Sequence, residues 1–150
     1  MKERYEELRQ KFSILPSYDV MNAEFNIDAL DSSQTIIAIK KRIAEKFEIV
    51  LDTFDHILQP NPDSIADMVE MRSFTEGEKK QIFETYKKLM FHYRAFLEGD
   101  FDDEQANARI VRAAYDDWQI VKKIVKPTIK KLKDTWEKHT EEKEIHEYFG

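Results

Sequence analysis

The chain has 150 residues, about the length of one domain, with 41% hydrophobic and 36% charged residues and a formal net charge of −6. It has no cysteine, which excludes disulfides, Cys-ligated zinc, iron–sulfur clusters and thiol catalysis together. Three glycines and four prolines are too few for the turns of an all-β protein, so the composition predicts an all-α fold.

Tyr5, Leu8 and Phe12 recur at helical spacing and mark a short N-terminal helix. Residues 13–31 carry the breakers Pro16, Asn22 and Asn26, yet also Ile14, Leu15, Tyr18, Val20, Met21, Phe25, Ile27 and Leu30. A free linker would not hold so many large apolar groups, so a packed arm is expected, with one short helical turn after Ser17. The second helix is expected to start near Asp31 or Ser32, where Asp31 and Gln34 match a capping box. Its stripe of Ile36, Ile39, Ile43, Phe47, Val50, Phe54 and Ile57 runs to Leu58, and Pro60 and Pro62 end it. That makes about 26 residues and about 39 Å.

Asn61 as a cap and Pro62 at the first helical position predict a shorter helix that ends near Phe74. Thr75 and Glu78 form another capping box, opening a helix from Glu76 to about Glu98. Ile82, Phe83, Tyr86, Leu89, Met90, Tyr93, Phe96 and Leu97 are its apolar stripe, and Gly99 sits where a left-handed terminal residue is expected. Asp102, with Gln105 three residues on, caps the last helix, which runs to His139. Pro127 inside it removes one backbone donor and predicts a kink or a restart. An unbroken helix of this length would measure about 55 Å, more than its neighbours offer. The end that carries Trp136 must then bend back, pack on the N-terminal helix or meet another chain.

The expected architecture is one helical domain over 1–150, a mostly antiparallel bundle of three to four main helices. Residues 1–31 form the N-terminal helix and arm, 32–139 the helical core, and 140–150 a polar tail with Ile145, Tyr148 and Phe149 as anchors. The first residues are too acidic and polar for a signal peptide, and no apolar run reaches the roughly 18 residues that span a bilayer. A soluble, cytoplasmic protein is the expectation.

The strongest functional lead is charge segregation. Residues 119–139 hold Lys122, Lys123, Lys126, Lys130, Lys131, Lys133 and Lys138 against Asp134 and Glu137, a local charge of +5 in an acidic chain. At about 100° per residue, Lys122, Lys126, Lys130 and Lys133 fall within about 80°, with Val121, Val125, Ile129, Leu132 and Trp136 assigned to the opposite side. An exposed Ile129–Leu132–Trp136 stripe would be unusual for a monomer. The leading reading is a non-catalytic interaction or adaptor protein that uses this helix, acting on a protein partner or by self-association. Nucleic-acid or ribonucleoprotein association through the lysines is the alternative, weakened because the stretch has no arginine to fork onto phosphate. The bland reading is a solvated face with lysines favoured near a helix C-terminus.

Chemistry is weakly signalled. Asp52, Asp55 and His56 are the nearest thing to a metal set, but no second constellation completes it, and no histidine follows a Glu by three residues as di-iron bundles require. The acidic turn at 98–104 lacks the spacing of a calcium loop. No glycine-rich phosphate cradle or nucleophile elbow is present. No cofactor or small-molecule ligand is implied, and a metal-assisted enzyme is the least favoured reading.

Overall fold

A computed structural model of the chain describes residues 1–31 and 33–138, and all regular structure among them is helical. The elements are α1 (Lys2–Lys11), α2 (Tyr18–Phe25), a 3-10 turn (Ile27–Ala29), α3 (Thr35–Leu58), α4 (Ile65–Arg72), α5 (Glu76–Gly99) and α6 (Glu104–Lys138). The tail at 140–150 with its three anchors, and Ser32 as a helix start, lie outside the described residues. No helix among the described residues is long and apolar enough to cross a membrane. The described helices gather into two compact units, one within residues 1–49 and 88–119, the other within residues 50–87 and 120–138.

In the first unit the arm is packed, as its apolar content requires. Leu15, Tyr18, Met21, Phe25 and Ile27 are buried, whereas Ile14 and Val20 are exposed and Leu30 is intermediate. Ser17 caps α2 by accepting from the Val20 amide, and Asn26 ends it in the left-handed conformation, with φ 52°. The core joins Ile39, Ile43 and Phe47 of α3 to Leu89 and Phe96 of α5 and to Val111, Ala114 and Trp118 of α6. Lys40 Nζ donates to the Phe96 carbonyl at 3.1 Å, while Phe47 meets the His92 ring at 6.5 Å. Ascending positions on α3 therefore meet descending ones on α5, an antiparallel pair.

The α5–α6 corner corrects one expectation. Gly99 is the last residue of α5, and no glycine among the described residues has positive φ. Glycine is needed here for space instead. A Cβ would overlap Asn107 Oδ1 and stand 2.9 Å from Ile110 Cδ1. Asn107 Nδ2 donates to the carbonyls of Gly99 and Asp103, both at 2.8 Å, and Lys40 pairs with Asp100 at 2.7 Å. These groups satisfy carbonyls that a left-handed glycine motif would otherwise serve.

In the second unit, Phe54, Ile57, Val69, Phe74, Ile82, Val121, Val125 and Leu132 are buried. The Thr75–Glu78 capping box is present, with both reciprocal bonds at 3.0 and 3.1 Å. Two other helix starts move. α4 opens at Ile65 with Ser64 as its cap, not Asn61, because Asn61 is engaged in the preceding turn: its side chain accepts from the Asp63 amide. α6 opens at Glu104 after Asp103, which accepts from the Ala106 amide at 2.8 Å. In the first unit α3 likewise begins at Thr35, beyond Asp31.

α6 passes through Pro127 as one helix rather than restarting. The far end of α6 is met within the chain by α4 and the turn after it, which leave Trp136 half-exposed. Trp136 Nε1 donates to Glu70 at 3.1 Å, and Thr135 Oγ1 lies 2.9 Å from Ser73 Oγ. The neighbour is α4, not the N-terminal helix.

Candidate functional site

The second half of α6 holds every lysine of the basic stretch, and the structure sorts them. Lys131 is half-buried and grips the Glu78 carboxylate with both distances at 2.8 Å, while its ammonium lies 5.1 Å from the Phe74 ring centre. Lys130 pairs with Asp134 one turn on, at 2.7 Å. Lys133 stands 4.0 Å from the same carboxylate. Lys123 and Lys126 are exposed, and Lys122 is intermediate. Each pairing leaves its electrostatic mark. Lys131 and the Thr75 amide hold the Glu78 carboxyl below the ordinary range, Lys130 does the same for Asp134, and Asp134 in turn raises Lys130.

The apolar residues divide as well. Leu132 is buried, whereas Ile129 is 41% and Trp136 42% exposed. Assigning both to the side opposite the lysines was wrong, for a reason the helix geometry supplies. At about 100° per residue, Ile129 lies about 20° and Trp136 about 40° from Lys122, on the flank away from Lys130. Between the buried arc of Val121, Val125 and Leu132 and the lysine arc, these two side chains form a half-open apolar border. The Trp136 N–H is bonded to Glu70, so the ring presents mainly apolar surface.

Beside Pro127 a groove of about 420 Å³ is lined by Ser73, Lys130, Lys131, Asp134, Thr135 and Lys138. Most of its polar groups already serve each other: Lys131 with Glu78, Lys130 with Asp134 and Thr135 with Ser73.

The weak metal candidates come out differently from the sequence pattern. His56 Nδ1 lies 2.9 Å from Asp67 Oδ2 and its other nitrogen 3.8 Å from Asp52. Asp67 is taken up by the fold, accepting from the Asn61 amide at 2.9 Å while its own amide donates to Ser64 Oγ at 3.2 Å. Asp55 is exposed. Among the described residues no group of three or more His, Asp or Glu side chains is arranged to hold a metal ion. Asp67 was missed by sequence reasoning, although its place three residues after the Ser64 cap gives it a helix-start role.

Elsewhere, the buried His92 bonds Asp117 at 2.6 Å, and its ring meets those of Phe47 and Phe91. No family model, curated protein or solved structure matches this chain.

Proposed function

We propose that this protein is a non-catalytic interaction module that docks an acidic partner through the second half of α6. The observation that carries the reading is the concentration of seven lysines against two acids on residues 119–139, with Lys123, Lys126, Lys130 and Lys133 exposed. A segregated field of this kind speeds encounter with a partner of opposite sign and fixes its orientation. Self-association of α6 with α6 would set like charges face to face, so a partner of opposite charge is favoured over a symmetric pairing of this surface.

The test is equilibrium binding of the full chain to polyglutamate across a salt series. The expected result is binding at low salt that weakens as ionic strength shortens the screening length. A variant with Lys122, Lys126, Lys130 and Lys133 all changed to Glu should lose it. Undiminished binding by that variant would overturn the reading.

A further inference from the structure

We infer that the partner docked by α6 is an acidic amphipathic helix whose apolar side chains, seven residues apart, cover Ile129 and Trp136. The inference rests on the reading of α6 as the binding surface and adds to it the chemistry and spacing of the occupant.

Three observations lead there. First, the two exposed apolar side chains on this flank of α6 are seven residues apart, about two helical turns and about 10.5 Å along the axis. A second helix laid along α6 repeats its contacting positions at that same interval. Second, Lys122, Lys126 and Lys133 follow directly on the flank of Ile129 and Trp136, within about 40° of Lys122. An incoming helix that covers the apolar pair therefore carries its neighbouring side chains over ammonium groups, which selects Glu or Asp there. Glu137, exposed in the same sector, is the one acid on this face and disfavours a carboxylate at its own position. Third, Trp136 is held ready. Its N–H is bonded to Glu70 and Leu132 beneath is buried, so little side-chain freedom remains to be lost on docking.

The same features disfavour a phosphate backbone. The stretch has no arginine to fork onto phosphate, and Glu70, Asp134 and Glu137 stand within or beside the face. A bilayer surface would demand a broad apolar face, but Val121, Val125 and Leu132 are already buried in the fold.

The experiment uses the full chain and three labelled probes. One is a helical peptide with leucines seven residues apart flanked by glutamates. The second is the same peptide with glutamine for each leucine, and the third a single-stranded RNA of equal net charge. Anisotropy reports affinity, and tryptophan emission reports cover over Trp136. The leucine peptide should bind about tenfold tighter than either other probe and shift the emission to the blue. Trp136→Ala and Ile129→Gln should each weaken it about tenfold, as truncation of an interface anchor does, and leave the glutamine peptide unaffected. Ile129→Gln changes an exposed residue and keeps the test sound if Trp136→Ala disturbs the fold. Equal affinity for both peptides, with both lost in Lys126→Glu/Lys133→Glu, overturns the apolar register while the electrostatic reading stands. Tighter binding to RNA overturns the helix partner. Absence of binding by all three probes overturns both readings.

Discussion

The two tryptophans of α6 are built alike and used differently. Each donates its indole N–H to a glutamate on a short helix, Trp118 to Glu24 of α2 at 2.8 Å and Trp136 to Glu70 of α4 at 3.1 Å. Trp118 is 4% exposed, with Phe47 5.5 Å and Phe25 6.4 Å away between ring centres and the Lys46 ammonium 5.1 Å above it. Trp136 is 42% exposed and borders lysines. The hydrogen bond is thus common to a core residue and a surface residue. What separates them is the cover over the ring, and cover is what a partner would supply.

Mutating both breaks or sharpens this contrast most directly. Trp118→Ala should cost about 3–5 kcal/mol, the range for removing a large buried aromatic. Trp136→Ala should cost about 1 kcal/mol, the middle of the distribution for ordinary substitutions. Urea unfolding followed by circular dichroism measures both. Equal losses would mean that Trp136 is a core residue in solution, and the contrast would fall.

Gly99 extends the contrast to backbone packing in the unit that holds Trp118. Glycine to alanine in a helix ordinarily gains about 0.5–1 kcal/mol. Here the added methyl meets Asn107 Oδ1, whose amide is tied to two carbonyls and cannot swing away cheaply. Overpacking of this kind costs about 1–3 kcal/mol, so the net sign is destabilising. A lowered melting temperature for Gly99→Ala, recovered in part by Asn107→Ala in the same chain, is the expected outcome. A rise in melting temperature would show that the corner has room.

Local chemistry was legible in the sequence, and distant partners were not. The stripe of α3 from Ile36 to Ile57 is buried at every position named for it, because a 3.6-residue period encodes one face directly. The Thr75–Glu78 box was equally readable, since both members lie within four residues. Asn61-Pro62 misled because the same pair also makes a turn, and only the tertiary role of Asp67 decides for Ser64 as the cap. On α5, Thr85 and His92 are buried while Phe83 and Leu97 are exposed, a swap no hydrophobicity pattern would give. For the candidate surface, the Lys130–Asp134 pair is four residues apart and could be read. The hold of Glu78 on Lys131 joins residues 53 apart and could not.

Charge pairing in the second unit gives a smaller effect. Glu78→Gln keeps an acceptor for the Thr75 amide but loses the ion pair with half-buried Lys131. The loss should be about 0.5 kcal/mol, as for other pairs open to solvent. The same change frees the Lys131 ammonium, so affinity for an acidic peptide should rise, not fall. Falling affinity would count against the electrostatic reading of α6.

The smallest expected effect is pH dependence at the α3–α4 corner, where His56 meets Asp67. The hydrogen bond and charge of Asp67 raise the His56 pKa above its ordinary 6.5, while the Asn61 amide and then His56 lower that of Asp67 below 3.8. A raised histidine contributes stability that is full below its unfolded pKa and is lost as pH rises through the folded value. A depressed carboxyl contributes stability that is present above its unfolded pKa and is lost as pH falls through the folded value. The corner is therefore firmest between about pH 4 and about pH 6.5 and loosens on both sides. His56 is half open to water, so its share is a few tenths of a kcal/mol. Asp67→Asn should lose more than His56→Ala, because it leaves the Asn61 amide, now bonded at 2.9 Å, only a neutral acceptor and removes a negative charge from the first turn of α4. Stability curves for the two variants between pH 5 and pH 8 decide the point. In both, the decline with rising pH should be shallower than in the parent chain, and an unchanged slope in His56→Ala would show that the pair is not closed in solution.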